Sequence, residues 1–159
     1  MAKLNIVKIG DETLRTKCRP VDKITPRTLQ LLDDMVETMR AANGVGLAAP
    51  QIGVLRRIVV IEVEEGEVIE LINPEIISRS GKNEGLEGCL SLPGQWGIVT
   101  RPMKVRVRAL NRYGETVEYE GEDLLARCFC HELDHLDGKL YSDVADRMLS
   151  KEEIEEFIG

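Results

Sequence analysis

The segment His131-Glu132-Leu133-Asp134-His135 constrains this chain more than any other feature, because it places two histidines four residues apart in a predicted helix. The helix is predicted to run from Leu124 to Leu136. The acidic pair Glu122-Asp123 suits its start, and Gly138 suits its end. Residues four apart in a helix are offset by only about 40° around the axis and about 6 Å along it. Both imidazoles can therefore reach one metal ion.

Glu132 lies between these histidines and suggests what the metal would be for. Its position in the helix is too close to the two histidines for it to be a third ligand. Its side chain is nevertheless long enough to reach a water molecule at the ion, as a general base must. The plain alternative is a helix with two solvent-facing histidines. It is disfavoured because the chain has only two histidines and both lie on a capped helix.

A catalytic site of this type needs a third protein ligand and an open position. Cys89 is one candidate, because its glycine-rich surroundings can bring the sulfur close. Cys128 lies about 10 Å along the axis from His135, too far to share an ion, and Cys130 points off that face. Both are predicted to be small buried side chains. A downstream glutamate, as in gluzincin metallopeptidases, remains an alternative, although such residues are more simply solvated surface charges: Glu152, Glu153, Glu155 and Glu156.

Two further helices are predicted, one near each end of the chain. Thr25-Pro26 is a helix-start signal, and apolar residues at helical spacing follow until the helix ends near Asn43-Gly44. The segment from Gly44 to Gln51 has small and apolar residues and no charge, which predicts tight, buried, irregular backbone. Ser150 with Glu153 three residues later predicts a capped closing helix.

The middle of the chain predicts antiparallel hairpins. Residues 57–64 and 68–72 form one hairpin that Pro74 closes, and residues 103–110 with 116–119 form a second with one wet face. Residues 81–97 contain five glycines and little periodicity, which predicts an extended loop. Because helices and hairpins are mixed without alternation, the predicted class is α+β, with antiparallel sheets packed around the central helix. A length of 159 residues predicts a single catalytic domain over residues 1–159.

The net charge and the cysteine content limit which binding partners and which cellular compartment are expected for this chain. A net charge of −7 and a pI near 5.0 disfavour binding to DNA or to an anionic membrane. The N-terminal segment carries charges where a secretory signal would need an unbroken apolar run, and no stretch approaches a membrane span. The four cysteines are too few and irregular for a disulfide framework. A cytoplasmic protein with reduced thiols is therefore expected.

Three segments together resemble, in order and approximate spacing, the signature motifs of the peptide deformylases. They are Gly44-Val45-Gly46-Leu47-Ala48-Ala49-Pro50-Gln51, Glu87-Gly88-Cys89-Leu90-Ser91 and His131-Glu132-Leu133-Asp134-His135. The likeness extends from Gly10-Asp11 near the start to Leu136-Asp137-Gly138-Lys139-Leu140, so it covers most of the chain. A gluzincin would not explain the first two motifs.

The resemblance implies a metal-dependent hydrolase that removes the N-terminal formyl group from the methionine of new polypeptides and releases formate. Cys89, His131 and His135 would bind one divalent ion, and Glu132 would be the general acid/base. The Gln51 amide and the Leu90 backbone N–H would form an oxyanion hole. The family leans toward ferrous iron, while the ligand set also suits zinc or nickel. Further residues would shape the substrate pocket: Val45, Gly46, Glu87, Gly88, Leu124 and Cys128.

The implied partners are N-formyl-methionyl nascent polypeptides and, transiently, the ribosome. Three residues depart from the family pattern. Cys130 replaces a usual glutamine, Trp96 stands where some bacterial members carry arginine, and Arg127 stands where an apolar pocket residue is common.

Two other functions are consistent with the motifs: a metallopeptidase with a different third ligand, and a silent relative that binds N-formyl-methionine or nascent chains. A disulfide between Cys128 and Cys130 would need strained geometry.

Overall fold

A computed structural model describes residues 3–158, which fold into two antiparallel sheets and several helices. The larger sheet has the strand order β1-β2-β3-β6-β7, with β1 Gly46–Ala48, β2 Ile58–Ile61, β3 Ile69–Ser80, β6 Lys104–Leu110 and β7 Thr116–Glu122. The smaller sheet has the order β4-β5-β8, with β4 Asn83–Cys89, β5 Leu92–Arg101 and β8 Arg147–Met148. The helices are α1 Pro26–Ala41, α2 Leu124–Leu136, α3 Tyr141–Val144 and α4 Lys151–Ile158. The predicted α+β class is confirmed.

Strand β2 of the larger sheet is buried on both faces, with α2 packed against one face and α1 against the other. Successive strand residues point to opposite faces, so Val59 and Ile61 of β2 pack in the cluster that contains α2. Ile58 and Val60 pack instead in the cluster that contains α1. This double burial explains why β2 is a continuous apolar run rather than an alternating one. No helix of the described residues is long and apolar enough to span a bilayer.

The predicted helix caps are largely present. The Thr25 side chain accepts a hydrogen bond from the Thr28 N–H at the start of α1. Ser150 and Glu153 exchange the two hydrogen bonds of a capping box at α4. The start of α2 differs, because Asp123 has a φ of 55° and its carboxylate accepts from Asn83 Nδ2 at 2.9 Å instead of capping the helix. The helix boundaries were predictable here, although this cap was not.

The loop predicted for residues 81–97 is wrong, because this part of the chain belongs to a β-hairpin that runs from Asn83 to Arg101. Strands β4 and β5 pair from Asn83↔Arg101 to Cys89↔Leu92, with a register shift beside Gly88. The glycines conceal the strand pattern because neighbouring groups occupy the space where their side chains would lie. A Cβ added to Gly88 would come within 2.6 Å of Trp96 Cζ3. The hairpin places Cys89 directly before its turn.

Two smaller predictions also need correction. Pro74 does not end the hairpin, because β3 continues to Ser80 through an irregularity between Ile72 and Glu75. Proline, which lacks an N–H, is tolerated at such a bulge. The segment from Gly44 to Gln51 is buried from Gly46 onward, as predicted, but it is less irregular: residues 46–48 form β1 and residues 49–52 form a 3₁₀ turn.

Gly138 is expected to be one of the least replaceable residues for stability. Its φ is +74°, and an added Cβ would lie 2.6 Å from the carbonyl oxygen of Arg15. The left-handed conformation alone costs an L-residue about 1–2 kcal/mol, so Gly138→Ala should lower the free energy of unfolding by more than this in urea denaturation. Gly114→Ala is the matched control, because its φ is +76° but the nearest atom is 3.9 Å away. Equal losses in both variants would contradict the steric argument.

Candidate metal centre and active site

The donor atoms of Cys89, His131 and His135 all lie within 4.8 Å of one another. Cys89 Sγ is 3.4 Å from His135 Nε2. Donors around a tetrahedral ion with bonds near 2.0–2.3 Å lie about 3.5 Å apart, so the chemistry and spacing of these residues fit one divalent metal ion. Across residues 3–158, no other such cluster of His, Cys, Asp and Glu is present.

Local geometry brings these three ligands to one point from two elements. Helix α2 presents His131 and His135 one turn apart, and their rings meet edge to face with centroids 5.1 Å apart. Cys89 ends β4, where the two-residue turn Leu90-Ser91 leads into β5. The candidate glutamates of the gluzincin alternative lie instead on α4, outside this cluster: Glu152, Glu153, Glu155 and Glu156.

The surroundings of the two imidazoles suit a cation. Burial lowers the pKa of His135 well below its ordinary value, so its ring is neutral and can donate a lone pair. Burial also lowers the pKa of His131, but the charge of Glu132 and the contacts with Cys89 and Glu87 outweigh it and raise that pKa well above the ordinary value. The surroundings of His131 therefore favour positive charge, whereas His135 offers a neutral donor.

Glu87 orients His131. Its Oε1 accepts a hydrogen bond from His131 Nδ1 at 2.7 Å, which turns Nε2 toward Cys89 and His135. Arg101 binds the same carboxylate through two N–H groups, at 2.9 and 3.1 Å. Burial raises the pKa of Glu87, but the hydrogen bonds from His131 and Arg101 prevail and lower it to about 2. A carboxylate behind a ligating histidine is a common support in metal sites.

Glu132 is buried beside the cluster, and its Oε1 has no hydrogen-bond partner among the described residues. Gly46 on β1 faces it so closely that an added Cβ would lie 2.6 Å from Oε2. Burial raises the pKa of Glu132 to about 7. A carboxyl group that titrates near neutral pH is suited to accept a proton and return it.

Gln51 is fully buried, and its amide is oriented at both ends. The side-chain oxygen accepts from the Ala48 N–H at 2.9 Å, so the nitrogen points toward the metal centre. Nε2 donates to Ser91 Oγ at 3.1 Å and lies 3.6 Å from Cys89 Sγ. The side chain thus satisfies local backbone and also presents a donor to the site.

A pocket of about 450 Å³ opens beside the cluster. Leu124 and Cys128 extend it along the face of α2 that carries His131, and Val45 and Leu124 are 41% and 48% exposed at its margin. The pocket brings together all of the predicted substrate residues: Val45, Gly46, Glu87, Gly88, Leu124 and Cys128. Leu90 also lines it.

Several residues at the site had no signal in the sequence. Arg101 supports Glu87 and also binds Asp134 at 2.9 Å, and a buried arginine of this kind looks like any surface arginine when only the sequence is read. Tyr141 of α3 stacks on His131 with ring centroids 5.8 Å apart. Ser91 could have been found, because it lies in the same motif as Cys89.

The three departures from the family pattern have different surroundings. Cys130 is buried, and all four cysteines are free thiols. Trp96 lines the pocket and covers Gly88. Arg127 also lines the pocket, but its guanidinium is directed into the protein, where it binds Glu87.

Fold and site together define a class: an α+β protein with a Cys-His-His cluster that could hold a metal ion and a buried carboxyl group beside it, an arrangement found in metal-dependent hydrolases. Residues 3–151 match the family model described as Polypeptide deformylase. Peptide deformylase of Thermoanaerobacter pseudethanolicus is 56% identical over 156 residues, covering 98% of each chain. Peptide deformylase of Caldanaerobacter subterraneus is 56% identical over 155 residues, covering 98% of this chain and 97% of that protein.

Solved structures agree with the sequence relatives. A crystal structure of peptide deformylase from Legionella pneumophila superposes with a TM-score of 0.88 at 44% identity, covering 98% of this chain and 92% of that one. The Thermotoga maritima enzyme gives 0.89 at 37% identity, covering 92% and 99%. The chain belongs to the polypeptide deformylase family. Members are metal-dependent amide hydrolases that remove the N-terminal formyl group from nascent polypeptides, so the predicted family, activity and enzyme class are confirmed.

Proposed function

We propose that this chain deformylates N-formyl-methionyl polypeptides with a divalent ion held by Cys89, His131 and His135. The observation that carries the proposal is the convergence of these donor atoms, within 4.8 Å, beside the buried carboxyl group of Glu132. A bound ion would act as a Lewis acid on the formyl carbonyl and make a water molecule more acidic. The remaining chemistry falls to the side chains around it.

Glu132 carries the proton in this scheme. It accepts a proton from the attacking water as the new C–O bond forms at the formyl carbon. It then returns that proton to the departing amine as the C–N bond breaks, and formate leaves. Its buried position and its pKa of about 7 support both roles.

Gln51 and Leu90 stabilise the charge that develops on the formyl oxygen. The Gln51 amide is fixed by its bond from Ala48, and the Leu90 N–H belongs to the turn that follows Cys89. Donors held in place before the reaction stabilise the transition state because they need no reorganisation. Neither adds a charge that would compete with the ion.

The substrate methionine occupies the pocket that runs along α2 past Cys128 and Leu124. Gly46 keeps space beside Glu132, Gly88 keeps space under Trp96, and Val45 lies at the margin. The Leu124 and Val45 side chains would become less exposed when an apolar substrate binds, which favours methionine over polar residues.

We infer that the native ion is ferrous iron, toward which the family leans. One thiolate and two imidazoles also suit zinc and nickel, so metal analysis of anaerobically purified protein separates these ions. Zinc at full occupancy with full activity would overturn the assignment of iron. Transient contact with the ribosome and a cytoplasmic location remain predictions.

The function is tested by formate release from N-formyl-Met-Ala-Ser. Anaerobically purified protein is loaded with ferrous iron, and metal-free protein serves as the control. Metal-dependent formate production supports deformylation. Cleavage of an internal peptide bond would favour the metallopeptidase alternative, and binding of the peptide without formate would favour the silent relative.

Gln51→Ala is expected to reduce kcat by about 10²–10³-fold, the usual effect of removing one oxyanion donor. KM should change less, because the lost interaction strengthens only in the transition state. Steady-state kinetics on the iron-loaded enzyme measures both. Gln30→Ala is a control, because Gln30 is exposed on α1, where its side chain donates a hydrogen bond to Asp34. A reduction below about tenfold would count against an oxyanion role.

A further inference from the structure

Arg127 is a buried cation of α2, and its side chain donates hydrogen bonds to residues of the smaller sheet. Its Nη1 donates to Glu87 Oε2 at 2.7 Å and to the Val99 carbonyl at 2.9 Å. Its Nη2 donates to the Asn83 carbonyl at 2.7 Å. Asn83 and Glu87 belong to β4 and Val99 to β5, so one side chain joins the helix to both strands of the hairpin.

The hairpin needs such a connection because the metal ligands are divided between two elements. Cys89 is on β4, whereas His131 and His135 are on α2. Among residues 3–158, no backbone hydrogen bond joins β4 to α2. The distance from the thiolate to the imidazoles is therefore set by side-chain contacts between the two elements.

Arg127 and Arg101 support Glu87 in different ways. Arg101 is on β5, beside Glu87 in the same sheet, and reaches α2 only at Asp134, which is partly exposed. Arg127 starts from α2 itself, one turn before His131, and holds the carboxylate that binds His131. If Arg127 were lost, Glu87 would keep its hydrogen bonds with Arg101 and His131. The loss would remove the contacts that α2 makes through Arg127 with Asn83, Glu87 and Val99.

Gly85 shows how closely the guanidinium lies on β4. A Cβ added there would come within 2.9 Å of Arg127 Nη2 and 3.1 Å of its Cζ. The two residues fit each other, since any side chain at position 85 would push the guanidinium away from the strand. This contact provides a way to displace Arg127 without removing its charge.

We propose that Arg127 is a positioning residue of the metal centre. It holds β4 against α2 and so places Cys89 and Glu87 at the distances from His135 and His131 that metal binding requires. The inference rests on the ligand set under the proposed function. Although Arg127 lines the substrate pocket, its guanidinium is bound to protein acceptors and does not present a free charge to the substrate.

The test is metal affinity measured by titrating the metal-free protein anaerobically with Co²⁺. Absorption bands from the thiolate and from the metal report whether Cys89 coordinates. Arg127→Met is expected to raise the Co²⁺ dissociation constant by about 10–100-fold, the usual effect of losing a contact that supports a ligand. Arg127→Lys should recover part of the loss. With saturating metal, KM for N-formyl-Met-Ala-Ser should stay within about twofold.

Gly85→Ala is the second variant, and it keeps the charge of Arg127. It should weaken Co²⁺ binding in the same direction, which keeps the proposal falsifiable if Arg127→Met does not fold. Arg106→Met is the matched control, because Arg106 is an exposed arginine paired with Glu118 on the larger sheet. It should leave Co²⁺ binding unchanged.

Two results would overturn the inference. One is an unchanged Co²⁺ affinity in both Arg127→Met and Gly85→Ala. The other is a changed KM in Arg127→Met with an unchanged Co²⁺ affinity, which would make Arg127 a residue of the substrate pocket. Failure of the underlying ligand set would look different. In that case the unmodified protein itself would lack the thiolate band, or Cys89→Ala would retain it.

Discussion

Glu132→Gln is expected to lower formate release by about 10²–10⁴-fold, the range usual for loss of a general acid/base. Glutamine keeps the shape of the side chain beside Gly46, but its amide cannot accept a proton from water and return it to the amine. The neutral amide also leaves no charge buried at this site, so folding should be preserved. The kcat of the iron-loaded variant with N-formyl-Met-Ala-Ser measures the effect.

Metal content must be followed in the same samples, because a lost ion would also abolish activity. The variant should keep one metal ion per chain, since Glu132 is not one of the three clustered donor residues Cys89, His131 and His135. Glu156→Gln, on the exposed face of α4, is the control and should retain full activity. Activity within about tenfold of the unmodified enzyme, at full metal occupancy, would exclude Glu132 as the proton carrier.

Cys89→Ala should abolish stoichiometric metal binding and, with it, formate release. The variant loses one of three protein donors, whereas losing a contact behind a ligand already weakens binding by about 10–100-fold. The dissociation constant should therefore rise by more than that range. Elemental analysis after dialysis against a chelator measures the retained metal, and circular dichroism verifies the fold.

Cys18→Ala is a suitable control for the loss of a thiol. Cys18 is buried in the core cluster that contains α2, but it is not among the grouped donors, so the variant should keep its metal. If Cys89→Ala retained a tightly bound ion, another side chain would have to be the third ligand. The metallopeptidase alternative would then regain support.

Interactions within one element were predictable from the sequence. The start of α1 follows from its Thr25-Pro26 cap and the span of α2 follows from helical spacing, and both signals depend only on neighbouring residues. The prediction failed where distant residues decide the backbone. In the hairpin of β4 and β5, Gly88 and Gly85 leave the space that Trp96 and Arg127 occupy, and no local pattern reveals such contacts.

The residues of the pocket were also predictable in part from the sequence and in part only from the structure. The family resemblance identified the residues that line it, but it assigned Glu87 only to the substrate pocket. The structure adds three contacts of its carboxylate, with His131, Arg101 and Arg127. The sequence separations are 44, 14 and 40 residues. Charged residues that pair in the interior cannot be told from surface charges by composition or spacing.

The sequence by itself determined that His131 and His135 lie close enough on one helix to share an ion, with Glu132 between them in the chain, because helix geometry fixes residues four apart wherever the helix lies. It also indicated the family through three ordered motifs. Only the tertiary structure decided that Cys89 Sγ lies beside both imidazoles and that Glu87 orients His131. These distances depend on how β4 packs against α2, and that packing is set by buried contacts between residues far apart in the chain.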